Sequence, residues 1–286
     1  MWKMFIELMQ DADKNKILSY MLPYEKFSVT LYSEILHGGK SIYVLRGNFG
    51  EIHGIFSWWQ GSSIHHCLPE VYGKNRSEIE SAFVKFFEEN SIKYIFSISG
   101  EKSGTLMLKK ILENSFEKTP KVQIEYFLME NGRFDSAKDL TRMNRQLSVE
   151  KCGEQEISRV FPLQVEFEKE EVVFEPELFN EDHCLAKFEN FVDAGAVFVG
   201  KIKNSPLCKL TVSAQGKNYV LLGGVFTVPK YRNCGLAKAL LNSVSQKFAA
   251  QSKKCTLFVK TENKAAIKVY EKTGFKKFCN FEILYY

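Results

Sequence analysis

Strand and helix patterns alternate around glycine turns near the C-terminus, and this alternation constrains the fold more than any other feature. The apolar run Tyr219–Thr227 predicts a strand, and Pro229 marks the turn after it. Gly235 then opens a helical pattern over 235–250. The remaining predicted elements are a strand over 255–261, a helix over 263–273 and a closing strand or hairpin over 276–286. Such a succession is typical of an α/β fold.

The composition is that of a globular protein long enough for about two domains. Of the 286 residues, 45% are apolar and 26% are charged, and 24 Phe, 12 Tyr and 3 Trp supply material for a sizeable core. The formal net charge is only +5, and no run of Lys or Arg is longer than two residues. We therefore expect no nucleic-acid partner.

Neither a targeting segment nor a membrane span is expected. Acidic residues come early, at Asp11 and Asp13, and no stretch of about 18 uncharged apolar residues occurs. The seven cysteines are scattered and form no Cys-x-x-Cys pair: Cys67, Cys152, Cys184, Cys208, Cys234, Cys255 and Cys279. This usage predicts a reduced, cytoplasmic protein whose thiols are mostly buried.

The pattern along the chain divides it into two halves. In the first half we expect helices over 2–20, 77–89 and 103–113, and strands over 41–45, 52–59, 62–68, 93–99 and 123–129. In the second half, before Tyr219, we expect strands over 141–149, 196–202 and 207–214, and helices over 154–172 and 181–193. The polar residues 131–139 between the halves read as a linker.

The loop from Arg232 to Ala237 is a candidate anion site. A small-residue loop that opens a helix presents backbone N–H groups at the positive end of the helix dipole, which suits a pyrophosphate. Gly235 would let the backbone approach the phosphates, and Ala237 would keep the first turn slim. Arg232 would either add charge or brace the loop. Taken alone, the loop fits a plain connection between strand and helix equally well.

A second pattern follows downstream. Asn263 is a good helix N-cap, and Tyr270 lies seven residues later, so both side chains can face one ligand. Gly274 then fits the position just past the helix end. Considered singly, Asn263 reads as a cap and Tyr270 as a packed helix residue.

Together these residues resemble the GNAT N-acetyltransferase superfamily. Its acyl-CoA loop, Arg/Gln-x-x-Gly-x-Gly/Ala, is matched by Arg232, Gly235 and Ala237, after a Val-x-Pro-x-Tyr-Arg-like stretch matched by Val228, Pro229 and Tyr231. Its later helix, Asn-x-x-Ala-x-x-x-Tyr-x-x-x-Gly-Phe, is matched by Asn263, Ala266, Tyr270, Gly274 and Phe275. The match spans about 56 residues. It departs from many members only in having Ala237 where they have Gly.

The resemblance implies an α/β (α+β) fold with tandem GNAT-like domains, each a mixed, mostly antiparallel twisted sheet flanked by helices. Residues 140–286 would form the acetyltransferase domain. Residues 1–130 would form either a diverged GNAT-like domain or an unrelated α/β accessory domain. In both cases this half would influence the choice of acceptor rather than the chemistry.

The resemblance also implies acetyl-CoA as acyl donor, without a metal. The residues implied to bind it are Phe226, Thr227, Val228, Arg232, Asn233, Cys234, Gly235, Leu236, Ala237, Lys238 and Asn263. A primary amine on a small molecule or peptide would attack the thioester directly in a ternary complex. A backbone N–H near Phe226 would polarise the carbonyl, and Tyr270, near its ordinary pKa, would protonate the departing thiolate.

Three questions stay open at this stage. Glu168 and Glu171, which share a helix face with Gln164, would either bind a cationic acceptor, relay a proton or form a solvated surface. His65, His66 and Cys67 suggest zinc, but neighbouring strand residues point to opposite faces and no partner pair has zinc spacing, so a structural role is favoured. A catalytically degenerate acyl-CoA-binding or interaction module is the alternative to an enzyme, and the protein would be a monomer or a homodimer.

Overall fold

The computed structural model describes residues 4–59, 62–73, 75–92, 94–131, 146–173, 177 and 179–286. The chain forms two compact units, which do not follow chain order. The first unit consists of Met1–Leu128, Phe258–Glu262 and Lys277–Tyr286, and the second of Met129–Leu257 and Asn263–Lys276. The linker expected over 131–139 lies outside the described residues, apart from Asn131 at its start.

Twelve strands and eight α-helices make up the described part of the chain. The strands are β1 (Phe5–Leu8), β2 (Ile42–Arg46), β3 (Ile52–Trp59), β4 (Ser63–Cys67), β5 (Ser97–Glu101), β6 (Val122–Asn131), β7 (Ser148–Lys151), β8 (Val197–Ile202), β9 (Ser205–Gln215), β10 (Tyr219–Thr227), β11 (Lys254–Lys260) and β12 (Phe275–Tyr285). The helices are α1 (Lys14–Met21), α2 (Val29–Leu36), α3 (Arg76–Glu89), α4 (Lys102–Phe116), α5 (Ile157–Phe167), α6 (Glu181–Asp193), α7 (Leu236–Ala249) and α8 (Lys264–Lys272).

The first unit is a mixed sheet with helices on both faces. Its strand order is β1-β2-β3-β4-β5-β12-β6. Strands β1 to β4 pair antiparallel, β4 and β5 are parallel, and β5 and β12 are antiparallel. One face packs on α3 and α4 through Phe83 and Leu108, and the other packs on α1 and α2 through Met21 and Ile35.

The last strand of the chain is part of this first unit. Residues Phe281–Tyr285 of β12 pair with β5, with Ile283 opposite Ser99. Leu284 is fully buried in the same core as Phe56 and Ile98. The first unit therefore closes its sheet with residues from the opposite end of the sequence.

The second unit has the strand order β11-β10-β9-β8-β7, in which only the pair β10–β11 is parallel. Val197 and Val199 of β8 pack under α5 and α6, together with Val160 and Phe188. Phe198, which points to the opposite face, contacts Phe248 of α7 at 6.4 Å between ring centroids. The α/β class with mixed, mostly antiparallel sheets is thus confirmed in both units.

One predicted helix is wrong, and a second is confirmed but changes its helix type along its length. The helix expected over 2–20 is instead strand β1 followed by α1, because Phe5–Leu8 pairs with β2 and Glu7 forms an ion pair with Arg46. Sequence periodicity does not contain these long-range partners. The helix expected over 154–172 is regular only over α5, and its end widens into a π-helical turn at Glu168–Val172, here named the acidic turn.

Candidate functional site

Strand β10 leaves its parallel neighbour halfway along its length. Its register with β11 runs from Tyr219↔Lys254 to Leu222↔Leu257, whereas β10 continues beside β9 as far as Thr227. On the β9 side the register shifts between Gly223 and Phe226, and Gly224 has φ +56°. The second half of β10 is therefore a bulged segment, and bulges of this kind re-aim backbone groups beside functional sites.

The loop after β10 has the geometry of an anion cradle. A 3₁₀ turn, Pro229–Tyr231, leads to Asn233 and Gly235, which both adopt the left-handed conformation, at φ +62° and +78°. Gly235 is the N-cap of α7. The first-turn N–H groups of an α-helix have no acceptor within the helix, so this end of α7 attracts an anion.

Arg232 braces this loop against the acidic turn. Its guanidinium donates to both carboxylate oxygens of Glu170, at 2.9 and 2.6 Å, and its Nε donates to the carbonyl of Thr227 at 3.2 Å. The same group lies over the Phe226 ring, 5.4 Å from its centroid. Glu170 raises the pKa of Arg232 further above its ordinary value. Of the two roles left open for Arg232, these contacts correspond to bracing.

The acidic turn also reaches the start of α8. Asn263 caps this helix by accepting from the N–H of Ala266 at 2.9 Å, and its Nδ2 donates to Oε1 of Glu171 at 3.0 Å. Tyr270, two turns along α8, is 8% exposed. Burial, with a further contribution from the Glu171 carboxylate, raises the pKa of Tyr270 well above its ordinary value. The structure thus brings Glu171, Asn263 and Tyr270 together.

The raised pKa of Tyr270 corrects the expectation of an ordinary one, and the cause is physical. A phenolate would be buried and would lie near a second negative charge, so the neutral phenol is favoured. The resting state therefore keeps the proton that a general acid must deliver. It also holds that proton more tightly than a solvent-exposed tyrosine would.

Glu168 lies on the interior side of the acidic turn and differs from Glu171 in its partners. It is 9% exposed, accepts from Gln164 Nε2 at 2.8 Å, and its Oε1 lies 4.0 Å from Nζ of Lys187. A freely solvated surface is therefore not the environment of Glu168. The two carboxylates serve different neighbours, so they do not form one acidic patch.

Most of the other residues implied to bind acyl-CoA lie at the end of β10, in the loop after it or in the first turn of α7. Phe226 is buried, and Leu236 is buried in the first turn of α7, which also contains Ala237 and Lys238. Cys234 is half-buried. The hydroxyl of Thr227 is buried and has no hydrogen-bond partner in the described part of the chain. An unsatisfied buried polar atom at the end of β10 is a candidate contact for a polar ligand.

One residue that the sequence reasoning missed is Lys209. It lies on β9 opposite Phe226, is 0% exposed, and its Nζ donates to the carbonyl of Gly224 at 2.9 Å. The signal that could have found it is polar alternation. Lys209 and Thr211 share one strand face, and that face meets a glycine in the neighbouring strand.

The histidines of β4 do not converge on a metal. His65 hydrogen-bonds Ser99 at 2.6 Å, and His66 hydrogen-bonds Thr105 at 2.8 Å. Among the described residues, no group of three or more His, Cys, Asp or Glu side chains is arranged to hold a metal ion. The contacts of His65 and His66 are those of residues with a structural role.

Two further observations concern the molecule's surface and its helices. A surface cavity of about 550 Å³ lies in the first unit and is lined mainly by residues at the start of α4 and along β12, so it is separate from the residues of the candidate site. No described helix combines the length and apolar character that crossing a bilayer requires. All seven cysteines are free, and five of them are buried.

Comparison with known proteins agrees with this fold. Residues 204–283 match the family model described as FR47-like protein. The whole chain resembles an acetyltransferase of the GNAT family from Colwellia psychrerythraea, with a TM-score of 0.60 and 13% identity over 98% of this chain and 99% of that one. No curated protein sequence gives a significant match.

Two other solved structures share the full-length fold. A tandem GNAT protein from the clavulanic acid biosynthesis pathway has a TM-score of 0.58 and 11% identity over 99% and 98% of the two chains. A Drosophila protein has a TM-score of 0.66 and 11% identity, again over 99% and 98%. The fold is that of tandem GNAT proteins. The match of residues 204–283 to the FR47-like family model includes both motifs, Arg232–Ala237 and Asn263–Phe275, and agrees with the resemblance inferred from them.

Proposed function

We propose that the protein is an acetyl-CoA-dependent N-acetyltransferase that moves an acetyl group to a primary amine by direct attack in a ternary complex. The observation that carries this proposal is the left-handed pair Asn233 and Gly235 at the start of α7, beside the bulged end of β10. This arrangement joins an anion cradle to a strand whose backbone is turned away from regular pairing. A CoA thioester has the matching chemistry, a pyrophosphate followed by an amide-containing arm.

Different residues of this segment would bind different parts of acetyl-CoA. The N–H groups from Asn233 to Ala237 would hold the pyrophosphate, with Lys238 nearby. Backbone groups of Phe226 and Val228, with the Thr227 hydroxyl, would hold the pantetheine arm. Asn263 would join them by exchanging its hydrogen bond to Glu171 for one to the arm.

The chemical step needs an electrophile, a nucleophile and a proton donor. A backbone N–H of the β10 bulge near Phe226 would polarise the thioester carbonyl. The neutral amine would then form the C–N bond while the C–S bond breaks, and the Tyr270 hydroxyl would deliver its proton to the departing sulfur. The proton that the amine loses would leave through water and return to Tyr270.

The acidic turn would meet the acceptor. Glu171, which hydrogen-bonds Asn263, and Glu168, the more buried of the two, would attract a cationic amine, on a small molecule or a peptide. Cytoplasmic localisation, a monomeric or homodimeric state and the absence of nucleic-acid and membrane partners remain predictions from the sequence.

A second candidate function is a binding module without turnover. It is favoured by one observation: Arg232 and Asn263 are both engaged by carboxylates of the acidic turn, Glu170 and Glu171. A protein with this arrangement could bind acyl-CoA by displacing the acidic turn and still lack a productive acceptor site.

Two measurements on the full chain separate the candidates. Calorimetric titration with acetyl-CoA tests for the donor site, and release of CoA with a panel of primary amines tests for turnover. Binding together with amine-dependent CoA release supports the enzyme. Binding without release by any amine favours the module, and no binding contradicts both.

A further inference from the structure

The environment of Lys209 is unusual for a lysine. Its side chain is completely buried, and no described carboxylate lies within ion-pair distance, 4.0 Å, of its Nζ. Its contacts are the Gly224 carbonyl at 2.9 Å and the Phe167 ring, 4.7 Å from the centroid. Burying an ammonium without an ionic partner is strongly unfavourable, and an apolar residue of similar size would be more stable here. Such a residue is therefore a candidate for a functional role.

Gly224, whose carbonyl accepts the hydrogen bond from Lys209, has an unusual backbone conformation. It lies inside the register shift of β10 and has φ +56°, a conformation that L-residues other than glycine rarely adopt. A Cβ added here would lie 3.0 Å from Nζ of Lys209 and 3.2 Å from the hydroxyl of Thr211. The bulge and the lysine thus fit each other closely. Lys209 thus holds a carbonyl that lies inside the bulge.

We propose that Lys209 is a positioning residue for acyl transfer, because its hydrogen bond to the Gly224 carbonyl fixes the bulge of β10 and so orients the backbone N–H groups that polarise the thioester. The inference rests on the proposed function. It goes beyond it by assigning the geometry of those N–H groups to a side chain on a neighbouring strand. The lysine acts through the backbone and does not itself touch the donor.

The charge state of Lys209 gives the inference a second, independent readout. Burial lowers the pKa of its amino group to about 7, against the opposing effect of Glu168. The other ionisable groups that act on it are Cys184 and Lys187, both on α6, and burial raises the pKa of the Cys184 thiol. A protonated amino group donates a stronger hydrogen bond to a carbonyl than a neutral one does. The positioning effect should therefore be larger below pH 7 than above it.

The chain supplies a matched control in Lys201, a second buried lysine on the neighbouring strand β8. It is 5% exposed, but its Nζ is paired with Glu150 at 3.0 Å and Glu156 at 2.5 Å. Lys201 lies on β8, which does not pair with β10, and both of its ion-pair partners are carboxylates. Replacing each lysine by methionine removes the amino group while keeping an unbranched side chain of similar length.

The test measures acetyl transfer and thermal unfolding of the full chain and both variants. For Lys209→Met we expect kcat to fall about tenfold or more with KM for acetyl-CoA changed less than about twofold. Its melting temperature should equal or exceed that of the wild type, because no ammonium has to be buried. For Lys201→Met we expect the reverse, an unchanged kcat and a melting temperature lower by a few degrees.

The pH profile completes the test. The ratio of wild-type kcat to Lys209→Met kcat cancels the titration of the acceptor amine, and it should fall at least about threefold from about pH 5.5 to about pH 8.5. A ratio that stays constant, or an unchanged kcat in an active preparation, overturns this inference alone. A wild-type protein that releases no CoA with any amine overturns the proposed function and this inference together.

Discussion

In both units a strand leads through a 3₁₀ turn into a helix, but the residues at the start of that helix differ between the units. Strand β4 of the first unit leads into a 3₁₀ turn at Pro69–Tyr72 and then α3, as β10 of the second unit leads into Pro229–Tyr231 and then α7. In the second unit the N-cap of the helix, Gly235, is left-handed at φ +78°. In the first unit the corresponding N-cap, Asn75, has φ −91°.

Charge differs between the two turns as well. Glu70 lies in the turn of the first unit and hydrogen-bonds His53 at 2.7 Å, and Glu78 follows in the first turn of α3. The first turn of α7 contains no acidic residue. Carboxylates at a helix N-terminus occupy the position that a phosphate would take. The shared succession of strand, turn and helix is therefore not by itself sufficient to attract an anion.

The two units also differ in what lies beside their parallel pair of strands. In the first unit the His66 ring lies against Gly100 and Gly104, where an added Cβ would come within 2.2 and 2.5 Å of it. The start of α4 is thus filled by a side chain and capped by Glu101, which accepts from the N–H of Ser103 at 3.0 Å. We therefore expect acetyl-CoA to bind in the second unit and not in the first.

The largest effect is expected from Gly235→Glu. A side chain at φ +78° strains the N-cap of α7, and the new carboxylate repels the phosphates. We expect acetyl-CoA affinity, measured by calorimetry, to fall at least about a hundredfold.

Two variants sharpen this result. Gly235→Asn keeps a residue that tolerates the left-handed region and adds no charge, so its affinity should stay within about tenfold of the wild type. Asn75→Glu places the same carboxylate at the N-cap of α3 in the first unit and should leave affinity unchanged. Loss of binding in Asn75→Glu would show that the distinction between the units is incorrect.

Tyr270→Phe is expected to have the next largest effect. Removal of the proton donor should lower kcat by about a hundredfold while the Kd for acetyl-CoA changes less than about twofold. Tyr32 is the matched residue of the first unit, since it is also buried and its pKa is also raised by burial and by a carboxylate, Glu25. Tyr32→Phe should leave kcat unchanged. Equal turnover by Tyr270→Phe and the wild type would remove Tyr270 from the mechanism.

The units should also respond to pH in different windows. Burial lowers the pKa of His66 to about 3. The unfolded chain binds this proton below about pH 6.5, so the stability of the first unit is complete above that pH. It falls by up to about 1.4 kcal/mol per pH unit between 6.5 and 3. The three tryptophans all precede residue 60, so their fluorescence reports this unit. His66→Gln should reduce the loss of stability of the first unit between pH 6.5 and pH 3.

The second unit should instead gain stability in the alkaline range. The pKa of Lys209 is lowered to about 7, and its unfolded value is about 10.4, so between these values the unfolded chain binds the extra proton. Stability therefore rises as pH increases from 7 towards 10. Amide hydrogen exchange of β9 and α7 measures this window, and Lys209→Met should lose the dependence. An identical alkaline limb in that variant would contradict the assignment to Lys209.

The smallest effect is expected at the surface ion pair of the loop. Arg232 and Glu170 are 41% and 45% exposed, so Glu170→Gln should change the free energy of unfolding by less than about 1 kcal/mol. Glu170→Gln takes a negative charge away from the anion cradle and should raise acetyl-CoA affinity a few-fold. Glu80→Gln, which breaks the exposed pair with Arg76 in the first unit, should leave the acetyl-CoA affinity unchanged. Weaker binding by Glu170→Gln would mean that bracing Arg232 matters more than the charge.

Local signals explain what could be predicted from the sequence. The cap at Asn263, the turn at Pro229 and the helix after Gly235 depend on residues within a few positions of each other, and they were found. Long-range partners explain what was missed. Phe5–Leu8 is a strand because β2 lies beside it, and Lys209 is buried because the bulge at Gly224 accepts its hydrogen bond. Neither partner lies near its residue in the sequence.

The position of β12 has a consequence for the order of events during synthesis. The first unit cannot complete its core until Leu284 has left the ribosome, because this residue packs beside Phe56 and Ile98. At about 5–20 residues per second, translation from the end of β6 to the start of β12 takes roughly seven to thirty seconds. Throughout that interval the nascent N-terminal sheet exposes the edge of β5, and an unpaired strand edge is a template for pairing with other chains.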